Sequence, residues 1–140
     1  MVTDGLSISL ALAHELLAHA RSELPNEACG LLAGSLATAT AVAYHPARNA
    51  DASPYVYSVH PDDLVRIVLG IDAGGQDLVA IFHSHPRSPA VPSPTDLRQA
   101  HYPVVHLIAS LLDADASPAA SLRAWRVEGE ESREVALELR

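Results

Sequence analysis

The segment His83–Asp96, HSHPRSPAVPSPTD, carries two histidines two positions apart, then Ser93 and, three positions later, Asp96. It offers two neutral nitrogen donors, one anionic oxygen and one hydroxyl. A hydrolytic zinc centre needs three protein donors of this kind and an open fourth position for water. In a strand, residues i and i+2 share a face about 6.6 Å apart, so His83 and His85 can lean onto one ion while Ser84 points away. Pro86, Pro89, Pro92 and Pro94 stiffen the chain that must bring Asp96 back to them.

A second reading covers half of this segment. Serine at a cap, proline at the first helical position and an acid two residues on, Ser93-Pro94-Thr95-Asp96, form an ordinary helix start. The two readings are compatible, because a helix start can fix the backbone while Asp96 projects toward a metal. A base is still required. Glu27 directly precedes an apolar run, where an acid is costly unless exposed or employed; taken alone it reads better as a solvated loop residue, and the histidine cluster makes it the candidate. Cys29, flanked by Ala28 and Gly30-Leu31-Leu32, reads as a small buried hydrophobe rather than a nucleophile. There is no His-Glu-x-x-His pattern, and one cysteine is too few for a nucleobase-deaminase site. Of the other histidines, His14 and His19 fit a helix surface, His60 a helix entry, and His106 a satisfied core position within a strand.

These residues need elements to hold them. Leu6–Ser9 reads as a short strand and Leu10–Glu23 as a helix ended by Pro25. Ala28–Ala33 fits a buried strand closed by Gly34, and Ala37–Tyr44 another strand. His45–Pro54 is loop-like, followed by strand-like Tyr55–Val59. Pro61–Ile71 reads as a helix stopped by Gly74-Gly75. Leu78–Phe82 is a buried strand that delivers His83. Residues 94–101 suggest a short helix. Val104–Leu111, Ser121–Val127 and Val135–Leu139 complete the strands. The pattern predicts an α/β fold, a central mixed β-sheet packed by helices, in one domain spanning 1–140.

Composition narrows the partners. The 140 residues are 49% hydrophobic and can bury a core without disulfides, which a lone cysteine could not form internally. The net charge of −8 opposes nucleic-acid binding, and all nine basic residues are arginine, which excludes Schiff-base lysine chemistry. The start MVTDGLSIS lacks the features of a signal peptide, and Leu10–Ala20 is too short to span a membrane. A cytoplasmic protein, monomer or homodimer, with no nucleic-acid or membrane partner is expected.

His83-Ser84-His85-Pro86, Ser93 and Asp96, with Glu27 upstream in Pro25-Asn26-Glu27-Ala28-Cys29-Gly30-Leu31-Leu32-Ala33-Gly34, resemble the JAMM (MPN+) metalloprotease motif at every defining position. The resemblance is to small prokaryotic members, extends through Asn49 and Pro54, and loosens beyond about Ser110. It implies a cytidine-deaminase-like JAB/MPN fold with one catalytic Zn2+ per chain, held by His83, His85 and Asp96. It implies Glu27 as general base and then acid, and Ser93 at the oxyanion. It implies a peptidase or isopeptidase acting after the diglycine tail of a ubiquitin-like or β-grasp sulfur-carrier protein. Only Gln99–Pro103 separates the motif helix from the next strand, so an insertion for gripping a second ubiquitin is not expected. The competing readings are a RadC-like DNA-associated protein, a phage-tail or peptidoglycan peptidase, and a non-catalytic MPN scaffold.

Overall fold

The computed structural model describes residues 4–100 and 102–140. Its centre is an eight-stranded mixed sheet. In chain order the elements are β1 (Leu6–Ile8), α1 (Leu10–Ser22), β2 (Cys29–Ser35), β3 (Thr40–Ala47), α2 (Pro61–Ala73), β4 (Asp77–His85), α3 (Pro94–Gln99), β5 (Val105–Ser110), α4 (Pro118–Ser121), β6 (Leu122–Glu128), β7 (Glu131–Val135) and β8 (Leu137–Leu139). Across the sheet the strands run β7-β6-β5-β4-β2-β3-β1-β8. β4 pairs parallel to β5 and antiparallel to β2. The histidine strand therefore lies inside the sheet, buried from Val79 through His85. An interior strand with both neighbours bonded cannot slip by one residue without turning both histidines to the wrong face.

The two faces are covered differently. On one, α1 buries Leu12, Leu16, Leu17 and Ala20 against Leu32, Phe82 and Leu107. Each fully buried leucine contributes about 1.5–3 kcal/mol. On the other, Ile67 and Ile71 of α2 pack on Cys29, Leu31 and Ala33 of β2. Residues 81, 83 and 85 of β4 belong to this second face by the period-two rule, with Ala80 and Phe82 in the α1 core. Gly30 lets Tyr44 of β3 lie against β2: a Cβ there would sit 2.5 Å from the Tyr44 ring and 2.6 Å from the His45 carbonyl oxygen.

The expected mixed α/β sheet is present, with three local differences. Tyr55–Val59 is not a strand. It forms a loop tied by one bridge, Asn49 to Val59, because the Asn49 side chain satisfies the backbone of this segment. Val135–Leu139 is not one strand: β7 ends at Val135 against β6, and β8 begins at Leu137 against β1 on the opposite edge of the sheet. His45–Ala47, read as loop, extends β3 opposite Cys29–Leu31. His101, the last residue of the expected short helix, lies outside the described residues, and α3 ends at Gln99. Among the described residues no helix is long and apolar enough to cross a membrane.

Candidate metal centre

Three atoms converge at the end of β4. His83 Nε2 lies 3.2 Å from His85 Nε2 and 3.2 Å from Asp96 Oδ2, and His85 Nε2 lies 3.1 Å from the same Oδ2. Both imidazoles are buried, and the Asp96 side chain is 9% exposed. Three donors on a four-coordinate metal with bonds of about 2.0–2.1 Å stand about 3.3–3.4 Å apart, close to this triangle. Glu27 approaches from the segment just before β2: one ligand atom each from Glu27, His83 and His85 lies within 4.8 Å of the others. Glu27 is 3% exposed and its Oε1 has no hydrogen-bond partner among the described residues. A buried orphan carboxylate oxygen beside converging lone pairs is costly unless a cation or water occupies the centre.

Each donor is fixed by its neighbours. His85 uses Nδ1 to bond the Pro89 carbonyl at 2.8 Å, which turns Nε2 inward. The proline-rich loop that provides this carbonyl is anchored twice more. Trp125 Nε1 donates to the Ala90 carbonyl and Ser110 Oγ to that of Ser88. The His83 ring stacks on Tyr57, centroids 4.4 Å apart and planes 19° from parallel. Asp96 is held by the start of α3. Ser93 Oγ accepts from the Asp96 N–H at 3.1 Å, and the Ser93 N–H donates to Asp96 Oδ2 at 2.9 Å, a reciprocal capping box.

Glu27 is pinned through its backbone. Its N–H donates to the Ser53 carbonyl, and its own carbonyl accepts from Asn49 Nδ2. The next residue, Ala28, donates its N–H to Ser84 Oγ at 2.8 Å and accepts from the Ser84 N–H. Ser84 thus ties the acid to the middle of the His-x-His pair, from the opposite face of β4. Arg48 closes the base of the 48–60 loop by a bidentate ion pair with Asp63 on α2.

The electrostatics follow from this packing. Burial pushes the Glu27 carboxyl up to about 8; His85 acts against the rise and Asp96 adds to it. A divalent cation alongside would favour the ionised form. Burial pushes the His83 imidazole down, although Asp96 opposes it. Burial also works on Asp96, upward, but hydrogen bonds from His83 and His85 outweigh it and hold the carboxyl well below the usual range. His85 moves the other way: burial works downward on it, but Asp96 and the Pro89 carbonyl outweigh this and raise it. His83 and the Asp96 carboxylate are therefore in the charge state of a metal donor, and His85 must lose a proton to become one. Cys29 is fully buried, and burial pushes its thiol up to about 12, as fits an inert residue.

The structure brings together all five residues singled out by sequence, Glu27, His83, His85, Ser93 and Asp96. It adds three that sequence alone does not assign to the site: Tyr57, Ser84 and Pro89. Ser84 was visible between the histidines, but its partner Ala28 is 56 residues away. His14 is exposed, as a helix-surface residue should be, and His60 caps α2. His106 is buried yet not satisfied: its Nε2 has no partner among the described residues.

Comparison with known proteins agrees with the geometry. Residues 9–128 match the family model described as prokaryotic homologs of the JAB domain. The chain belongs to this JAB/JAMM family. It is 36% identical to the desampylase of Haloferax volcanii over 98% of both chains. It is 33% identical to the CysO-cysteine peptidase of Mycobacterium tuberculosis, over 74% of this chain and 70% of that one. A solution structure of a protein from Desulfitobacterium hafniense superposes with TM-score 0.86 at 32% identity, covering 96% of this chain and 92% of the other. A JAB1/MPN domain protein from Archaeoglobus fulgidus, at 22% identity, 98% and 99% coverage and TM-score 0.62, shares the fold.

Proposed function

We propose that this chain is a zinc-dependent JAMM peptidase. It hydrolyses the amide joining the diglycine end of a ubiquitin-like or sulfur-carrier protein to an amine. The observation that carries this reading is the triangle of His83, His85 and Asp96 atoms, 3.1–3.2 Å apart, with the orphan Glu27 carboxylate beside it. The substrate class is supported by two relatives whose names state it, a desampylase and a CysO-cysteine peptidase. The probable TtuB-protein conjugate cleaving protease of Thermus thermophilus, 35% identical over 74% of this chain, supports it as well.

His83, His85 and Asp96 hold the metal, one ion per chain. When bound, zinc supplies a water ionisable near neutral pH and polarises the scissile carbonyl. Glu27 shares the centre with His83 and His85, and its free Oε1 is the atom available to take a proton from the attacking water. It returns that proton to the departing nitrogen. Ser93 Oγ spends its acceptor capacity on the Asp96 N–H, which leaves its O–H free to donate to the oxyanion. The diglycine end is what the family resemblance implies, and extended backbone without side chains could lie close against a buried centre.

The test is a conjugate of a β-grasp carrier ending in Gly-Gly, followed by mass spectrometry. The wild type with zinc should release free carrier and amine, and chelation should stop it. Glu27→Gln should bind one zinc per chain with turnover reduced at least about 10²-fold, the scale of a general base. Turnover by Glu27→Gln at the wild-type rate would remove Glu27 from its role.

A further inference from the structure

His85 and His83 face the same centre through Nε2, but only one has its other nitrogen satisfied. His85 Nδ1 meets the Pro89 carbonyl at 2.8 Å, whereas His83 Nδ1 is buried with no partner among the described residues. One other imidazole nitrogen shares that condition, Nε2 of His106. The two orphans lie on adjacent strands. Ile81 is paired with His106 and His83 with Ile108 in the parallel β4–β5 ladder, so His83 and His106 occupy the same face one pleat apart. Tyr57 covers the His83 ring on one side, which leaves little freedom for Nδ1 to seek another partner.

The two nitrogens are also complementary in protons. A neutral imidazole that presents Nε2 as a donor atom toward a metal carries its hydrogen on Nδ1. His83 Nδ1–H is therefore a hydrogen-bond donor without an acceptor. A neutral imidazole has one bare nitrogen, and the buried Nε2 of His106, without a partner among the described residues, is available for that role. An unprotonated Nε2 on His106 would be the acceptor that His83 lacks.

We propose that His106 is a positioning residue for His83: its Nε2 accepts the Nδ1–H of His83 through one buried water, and so sets the tautomer and tilt of that metal-binding ring. The contact parallels the direct Pro89 carbonyl contact of His85. The inference rests on the metal-site reading above.

The experiment uses the full chain labelled with 15N-histidine, with and without zinc. Long-range 1H–15N spectra should show His106 protonated on Nδ1 and bare on Nε2, and the His83 Nδ1–H slow to exchange. His106→Leu should raise the zinc dissociation constant at least about tenfold, the usual effect of removing such a partner, and speed exchange of that proton. His106→Gln, which keeps an acceptor, should restore most of both. Finding His106 protonated on Nε2 would overturn the proposal, since that nitrogen would then have no lone pair to accept with. So would a His106→Leu protein with wild-type melting, zinc affinity and exchange. If His106→Leu does not fold, the wild-type tautomer and the His106→Gln affinity decide. Failure of the metal reading is distinct: the wild type would then take up no zinc, while the tautomer and exchange of the metal-free protein still test the His83–His106 contact.

Discussion

Ser84→Ala isolates the coupling between the base and the metal donors. Ser84 is fully buried, and its Oγ is the acceptor for the buried Ala28 N–H at 2.8 Å. Alanine removes that acceptor and leaves no opening for water, so the Ala28 donor is orphaned. An orphaned buried donor costs about 1–3 kcal/mol. With an unfolding entropy of about 2.1 cal/mol/K per residue over the 140 residues, this lowers the melting temperature by about 3–10 °C. The reciprocal bond from the Ser84 N–H to the Ala28 carbonyl survives, and so does the pairing of β4 with β2 and β5. His83 and His85 therefore keep their places, and zinc affinity should hold within a few-fold.

Turnover should respond more than binding. Glu27 is one residue from the lost contact, and a misplacement of about 1 Å at a catalytic group costs on the order of 10²-fold. The assay pairs thermal melts and zinc titration with kcat on a diglycine conjugate. Ser22→Ala is the control, because it deletes a hydroxyl bonded only to the His19 carbonyl on an exposed helix end. A Ser84→Ala protein that melts with the wild type and turns over at its rate would refute the reasoning. A protein that loses zinc and activity together would place the role of Ser84 in holding β4 rather than Glu27.

Two further outcomes follow from the same contacts. Ser93→Ala should cost about 1 kcal/mol through the lost cap and lower kcat about 10²–10³-fold through the lost oxyanion donor, measurable as a kcat effect larger than the KM effect. The Arg48 side chain and backbone N–H hold the Asp63 carboxyl well below the usual carboxylate range. Stability from this pair is present above the unfolded value near 3.8 and lost as pH falls through the depressed folded value. Asp63→Asn should therefore melt lower than wild type at pH 7, with the gap closing on acidification below pH 4; equal melting at pH 7 would count against the pair.

The donor residues were legible because their spacing is local. His83 and His85 differ by one pleat, and the proline-stiffened loop returns Asp96 within thirteen residues. Most elements were legible for the same reason, since helix periodicity, Pro61 and the apolar runs of β2 and β4 are short-range signals. What sequence could not provide was burial across the sheet. Glu27 read as a plausible solvated loop residue; it is buried because Ser53, Asn49 and Ser84 clamp its segment from residues far along the chain. The alternation of Tyr55–Val59 looked like a strand, but the Asn49 side chain takes the bonds a neighbouring strand would have made. His106 looked like a satisfied core residue, and only its placement beside β4 shows which nitrogen is left over.

The helix-cap and metal readings of Ser93–Asp96 meet on a single atom. Asp96 Oδ2 accepts the Ser93 N–H at 2.9 Å and is also the oxygen 3.1–3.2 Å from both histidines. The cap therefore orients the ligand: with that N–H on one lone pair, Oδ2 has its remaining capacity aimed at the centre. The cap also draws on the Ser93 oxygen as an acceptor and leaves its hydrogen for substrate. A short helix of six residues would be marginal by itself, so its capping box is best understood as the device that fixes Asp96 and Ser93 relative to each other. Sequence read a cap and a ligand as compatible at these four residues; the geometry puts both on one oxygen of Asp96.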